Sequence, residues 1–297
     1  MTLSAGTDRY WRTVSYTEVF MKRIVTIQDI SCVGKCSLTV ALPIISAMGV
    51  EAAIIPTAVL SNHTAFPSFT FHDLTDQIRP IGEQWKKHGF DFQVIYTGYL
   101  GSLEQIDIVS AFVDQFRTAD NLVFVDPAMG DFGKLYAGFD EAFAKKMGTL
   151  CAKADIIVPN LTEAAFMLDL PYVGGGYTVQ YVQDILKRLT DLGARRAVLT
   201  GVAFGEEKRI GVMSYDRDSG AFFSYETKRV DAVYHGTGDV FASTCVGAMA
   251  RGESLEQALT LAADYTAECI RKTVDDPESN WYGVNFEQAI PYLIDRL

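Results

Sequence analysis

Short β-rich apolar runs alternate with amphipathic helical runs along most of this chain, and that alternation restricts the fold more than any other feature. In order, it predicts a strand at 23–28, a helix at 37–48 ended by Gly49, a strand at 52–57 and a helix at 74–88. A strand at 93–97, a helix at 103–116, a strand at 122–126, a helix at 139–152 and a strand at 155–159 follow. A helix at 179–192 ended by Gly193 and a strand at 197–200 complete the alternation. Strands this apolar need cover on both faces, and crossover helices supply it. The expected fold is α/β, a mostly parallel central sheet with helices on both faces. The pattern changes once, where 210–215 and 221–227 flank Asp216-Arg217-Asp218-Ser219-Gly220, a hairpin signal. Helices are then expected at 239–250, 254–272 and 286–296.

No Pro/Gly/Ser-rich linker and no internal repeat divides this run, so residues 21–297 are expected to form one domain. Residues 1–20 carry Asp8, Arg9, Arg12 and Glu18 where a signal or anchor needs an apolar core. They are expected to be an extension outside the fold, dispensable for activity. The apolar stretch 40–60 is divided by Pro43, Gly49, Glu51 and Pro56, and fits a helix and a buried strand better than a membrane span.

A net charge of −11 makes nucleic acid and anionic membranes poor partners, and no basic stripe offsets it. The five cysteines, Cys32, Cys36, Cys151, Cys245 and Cys269, are odd in number and scattered, which suits a reduced, cytoplasmic protein. Cys32 and Cys36 have no second pair and no nearby His, so zinc is not expected.

Chemistry concentrates in His235-Gly236-Thr237-Gly238-Asp239, followed by an apolar helical stretch. The two glycines let the backbone turn its N–H groups toward one point, and the helix adds its positive N-terminal end, so the point favours an anion. A carboxylate there opposes the field and is tolerable if it works on a proton, which makes Asp239 a candidate general base. The bland reading is an Asp that merely helps start a helix. In open α/β sheets ligands lie at the carboxyl ends of strands. Polar groups stand at each expected strand end: Gln28-Asp29, Thr57, Thr97-Gly98-Tyr99, Asp126 to Asp131, Asn160 to Glu163, and Thr200-Gly201. Asn160 with Glu163 three residues on also reads as a plain helix start. Asp126, Asp131 and Glu163 near an anion turn make sense with Mg²⁺ between them, because Mg²⁺ takes one or two acids, waters and phosphate oxygens. The set suits phosphoryl transfer. Gly34-Lys35-Cys36-Ser37 is only a near miss to the Walker A loop.

From about Met21 to the C-terminal helix the chain resembles the ribokinase-like superfamily, and within it the pyridoxal (vitamin B6) kinases. The segment from Lys228 to Asp239 is similar to their nucleotide loop and anion hole. Ser61-Asn62-His63-Thr64, Gly98-Tyr99-Leu100-Gly101-Ser102, Asp126-Pro127-Ala128-Met129-Gly130-Asp131 and Pro159-Asn160-Leu161-Thr162-Glu163 follow in family order. The resemblance implies a ribokinase-like fold and ATP-dependent phosphorylation of a vitamer's hydroxymethyl group. Asp239 would be the base, and Gly236, Thr237 and Gly238 would hold the transferred phosphoryl. Asp126, Asn160, Thr200, Lys228 and Val233 would bind ATP; Asp126, Asp131 and Glu163 would organise Mg²⁺, partly through water. Asp29, Thr57, Ser61, His63 and Tyr99 would surround the pyridine ring. Family members are commonly homodimers, and many use a monovalent cation such as K⁺.

One departure stands out: many B6 kinases carry Gln-Ser-His where this chain has Gln28-Asp29-Ile30. Asp29 would either favour a cationic vitamer or cap a turn away from substrate. The rival within the fold is a hydroxymethylpyrimidine kinase; a sugar kinase would carry a separate β lid that is not evident here. The rival from another class is a silent vitamer-binding protein, which has no need of Asp239.

Overall fold

The computed structural model describes residues 22–204 and 208–297; the expected extension at 1–20 lies outside the described residues. The chain runs β1 (Arg23–Ser31), α1 (Leu38–Ala47), β2 (Glu51–Leu60), β3 (Phe71–Asp73), α2 (Thr75–Lys87), β4 (Val94–Thr97) and α3 (Leu103–Phe116). It continues with β5 (Leu122–Val125), the small β6 (Gly130–Asp131) and β7 (Lys134–Leu135), α4 (Glu141–Cys151), β8 (Ile156–Ile157), α5 (Leu161–Met167) and α6 (Val179–Asp191). The last third comprises β9 (Arg196–Val202), β10 (Arg209–Asp216), β11 (Phe222–Lys228), α7 (Thr237–Arg251), α8 (Leu255–Val274) and α9 (Phe286–Ile294).

Among the described residues, nine strands form one sheet in the order β11-β10-β9-β8-β5-β4-β1-β2-β3. The pairs from β2 through β9 are parallel, while β3, β10 and β11 run against their neighbours. The predicted α/β layering is therefore present. Alternation along the strands divides the core in two. Val25, Ile27, Ile95, Val123 and Val125 pack toward α2 to α6 with Ile78, Val109, Phe143, Leu161 and Leu186. Ile24, Tyr96, Phe124, Ile156 and Val198 pack the other way, toward α1, α7, α8 and α9 with Ile44, Cys245, Leu259 and Leu293. Each fully buried side chain of this size contributes roughly 1.5–3 kcal/mol before entropy is counted.

The expected elements occur with small shifts. β3, the β6–β7 hairpin and the full length of β1 go beyond the expected elements. That strand continues to Ser31 through an irregularity between Gln28 and Ile30, so Asp29 lies inside it and does not cap a turn. No described helix is long and apolar enough to cross a membrane.

Candidate active site

The carboxyl ends of β1, β2, β4, β5, β8 and β9 line one rim of the sheet, and most of the predicted residues stand there. β9 leads into the β10–β11 hairpin, which goes to the far edge and comes back. Its return strand ends at exposed Lys228, and a loop with Val233 67% exposed then leads into α7.

The turn before α7 has the conformation that its glycines suggested. Gly236 is the N-cap, with φ of 79°. A Cβ built there would stand 2.0 Å from the Lys35 carbonyl oxygen, so only glycine fits, for both conformation and space. Around Gly238 an added Cβ would meet nothing within 4 Å, which leaves the turn open to a ligand. The Thr237 hydroxyl donates to the Tyr234 carbonyl at 3.3 Å. Helix α7 begins at Thr237, and its first N–H groups have no partner within the helix. Asp239 is partly exposed as a residue while its carboxyl group is enclosed. Burial pushes that carboxyl up to about 7; the Ser37 backbone N–H opposes the shift and Asp29 adds to it.

Asp126, Asn160 and Glu163 form the next cluster. Asp126 is buried at the end of β5, with its N–H on the Thr97 carbonyl at 2.9 Å. Asn160 caps α5: its Oδ1 accepts from the backbone N–H groups of Thr162 and Glu163, and its Nδ2 donates to the Gly130 carbonyl at 2.9 Å. Glu163 closes the capping box by accepting from Asn160 N at 2.9 Å and from Met129 N at 3.1 Å. The helix-start reading of Asn160 is thus correct and leaves it at the rim all the same. Burial pushes Glu163 up to about 8 against these amide bonds, and Asp126 is raised by burial, then by Glu163 and Asp239. None of the ion pairs among the described residues includes Asp126, Glu163 or Asp239. Buried, mutually repelling oxygens without a cationic side chain suit a hard divalent cation. They do not make a preformed cage: among the described residues no group of three or more His, Cys, Asp or Glu could hold a metal by itself. Asp131 is exposed on the β6–β7 hairpin and accepts from Phe132 N at 2.9 Å, so the predicted trio is not one ligand set. Thr200 pairs with Asn160 across an isolated bridge.

On the ring side, the Thr57 hydroxyl donates to the Tyr99 carbonyl at 3.3 Å, joining two predicted residues. Asp29 is buried and accepts from the Ser31 hydroxyl at 2.8 Å; burial raises its pKa, and His63 and Ser37 oppose the rise. His63 Nδ1 accepts from Ala65 N at 3.2 Å, so the proton belongs on Nε2, which lies 2.8 Å from the Tyr282 carbonyl. Its ring lies 4.8 Å from that of His235 and 4.9 Å from that of Phe66. Ser61 directly follows β2. Its hydroxyl donates to Asn62 Oδ1 at 2.7 Å and accepts from Thr70 N at 2.9 Å, which engages it within its own loop.

Residues that sequence reading passed over also converge here. Tyr136 faces Glu163, Asp131, Asp239 and Asp126, and burial holds its phenol protonated. The Cys36 thiol is raised by burial, then by Asp239 and Asp29, so it is protonated and inert. Tyr96 is fully buried, and burial first, then the charges of Asp126 and Asp239, hold its phenol protonated. Only the Gly34–Ser37 near miss marked part of this set, and for another reason.

A family model described as phosphomethylpyrimidine kinase matches residues 41–280. A crystal structure of a Bacteroides thetaiotaomicron protein assigned as a phosphomethylpyrimidine kinase is similar at a TM-score of 0.88 and 40% identity, covering 94% of this chain and 96% of that one. A second crystal form of that kind, with pyridoxal, gives 0.87 at 40% identity over 92% and 96%. Pyridoxal kinase from Lactobacillus plantarum matches at 0.84 and 29% identity, over 93% and 97%. Pyridoxal kinase of Arabidopsis thaliana is 25% identical over 264 residues, 86% of this chain and 83% of that one.

Proposed function

The chain belongs to the phosphomethylpyrimidine kinase family, and from that premise we propose that it transfers the γ-phosphoryl of ATP to the hydroxymethyl group of a B6 vitamer. The observation that carries this reading is Asp239: an enclosed carboxyl, poised near neutral pH, on the first turn of a helix whose N-terminus opens at Gly236 and Gly238. A similar protein at 40% identity crystallised with pyridoxal supports the choice of substrate.

Asp239 takes the hydroxymethyl proton as the oxygen attacks the γ-phosphorus. The bond from that phosphorus to the β–γ bridging oxygen breaks, and its electron pair leaves with ADP. The amides of Gly236, Thr237 and Gly238 hold the transferred oxygens. Thr200, Asn160, Lys228 and Val233 lie along the phosphates and nucleoside of ATP. Asp126 would hold Mg²⁺, with Glu163 and Asp131 acting through water. Mg²⁺ supplies charge neutralisation for the phosphates. Thr57, Tyr99, His63 and Asp29 bound the ring, and Ser61 fixes the loop that carries His63. Five free cysteines fit the reducing cytoplasm where such a salvage kinase would act. Homodimer formation is read by light scattering, and any K⁺ requirement by salt exchange in the assay.

The second reading, a hydroxymethylpyrimidine kinase, draws on the family description and on the assignment of the Bacteroides protein. The experiment is ADP release with ATP and Mg²⁺ on pyridoxal, pyridoxine, pyridoxamine and hydroxymethylpyrimidine. Turnover of a vitamer is expected. Turnover of the pyrimidine alone would move the substrate and keep the mechanism; no turnover of any of the four would end both readings.

A further inference from the structure

His63 and His235 touch each other and differ in what each can offer a ligand. Their ring centroids lie 4.8 Å apart, with the planes tilted by 43°. His63 is buried, and the protein engages both of its nitrogens. Ala65 N donates to Nδ1 at 3.2 Å, and Nε2 faces the Tyr282 carbonyl at 2.8 Å. An imidazole has two nitrogens, so His63 keeps only its ring carbons for a substrate. His235 is exposed, and among the described residues no hydrogen bond engages its side chain. Partial burial of its ring, then the neighbouring His63, lower its pKa, so it stands neutral at pH 7 with one donor and one acceptor.

The backbone that carries His235 is fixed from several sides. The Thr237 hydroxyl donates to the Tyr234 carbonyl at 3.3 Å, a bond that spans His235. Gly236, the next residue, has φ of 79° and abuts the Lys35 carbonyl. Lys35 Nζ in turn donates to Asn285 Oδ1 at 3.0 Å and to Glu287 Oε2 at 2.9 Å. Lys35 and Ser37 have positive φ of 50° and 52°, and such backbone persists where its neighbours over-determine it. A Cβ on Gly34 would stand 2.4 Å from the His63 ring. One segment, 34–37, therefore seats both the anion turn and the ring-side histidine.

His235 stands at the seam between these two halves, with the anion turn directly after it and His63 against its ring. A substrate with its hydroxymethyl group at Asp239 and its ring toward His63 brings past His235 the ring position next to that hydroxymethyl group. In a B6 vitamer one such position bears only hydrogen. The other bears the 4-substituent, an aldehyde in pyridoxal, a second hydroxymethyl in pyridoxine and an aminomethyl in pyridoxamine. We propose that His235 is a specificity-determining residue whose imidazole hydrogen-bonds the 4-substituent, while His63 packs against the ring without bonding it. The proposal rests on the kinase reading of this site.

The test compares the wild type with His235→Phe and His235→Gln on pyridoxine and on 4-deoxypyridoxine, whose 4-methyl group makes no hydrogen bond. Phenylalanine keeps a ring against His63 and removes both nitrogens; glutamine returns a donor and an acceptor. The wild type is expected to prefer pyridoxine by about fivefold or more in kcat/KM, the scale of one hydrogen bond. His235→Phe is expected to bring that preference below about twofold, with the loss falling on pyridoxine and not on KM for ATP, and His235→Gln to restore part of it. A wild type indifferent to the 4-substituent, a preference that survives in His235→Phe, or equal losses on both substrates would overturn the proposal. If the wild type phosphorylates neither compound, the substrate reading fails separately, and calorimetric binding of the same two compounds decides the contact. A preference for pyridoxine that His235→Phe abolishes keeps it; equal binding of the two, or none, removes it.

Discussion

Asp239 holds a proton that an aspartate in water loses near 3.8, because burial pushes its carboxyl up to about 7. The folded protein therefore binds this proton more tightly than the unfolded chain. The contribution of this group to stability falls as pH rises from about 4 to about 7, then stays level. Asp239→Asn is expected to be more stable than the wild type at pH 8, by about 0.5–2 kcal/mol, with the difference vanishing toward pH 4. The same substitution is expected to cut kcat by about 10²–10⁴-fold, and wild-type kcat/KM is expected to rise with pH through about 7. Urea melts at two pH values and a pH–rate profile check both. At this scale the sequence was partly legible. An acid after Gly-Thr-Gly is visible as letters because glycine spells its own conformation. Ser37 is not, since nothing in a serine announces a positive φ. Asp29 was visible as a departure but not as a buried strand residue, because an irregularity in pairing leaves no trace in composition.

Helix α5 shows what an element adds to its residues. It has only seven residues, too short to stand on propensity, and it is started by the reciprocal bonds between Asn160 and Glu163. The same two residues therefore secure a helix and carry polar atoms at the rim. Asn160→Ala is expected to cost about 1 kcal/mol in urea unfolding from the cap alone, and more because the Gly130 carbonyl loses its partner as well. Glu163→Gln keeps one of the two backbone bonds that Glu163 accepts and removes a carboxyl that ionises only above neutral pH. The start of α5 was readable, since Asn followed by Glu at the third position is a local signal. The two-residue strands β6 and β7 were not, because a pair that short is set by the loop it closes and not by its own side chains.

Across the whole molecule, the parallel interior of the sheet was the most legible feature, because a strand buried on both faces must be apolar throughout. Its margins were least legible. β3 is exposed along its three residues and carries no burial pattern to read. The candidate site gathers residues from β1, β2, β4, β5, α5, β9 and α7, so ligands bound as proposed would bridge most of the rim. ATP with pyridoxal, each at 100 times its Kd, is expected to add about 2.7 kcal/mol per independent ligand. That corresponds to roughly 5–10 °C in Tm for a chain of this size. A thermal scan with and without ligands reads it directly, and a shift with pyridoxal but none with hydroxymethylpyrimidine would favour the vitamer reading.

The β10–β11 hairpin carries the chain away from the rim and delivers it back at Lys228, just before the anion turn. Its tip, Arg217 to Gly220, is exposed, and an added Cβ at Gly220 would meet nothing within 4 Å. For an engineer this is a handle: a tag, a fluorophore or a surface tether grafted at the tip sits at the pole opposite the chemistry. An immobilised or labelled form of the protein could be built there with its mouth facing the solution.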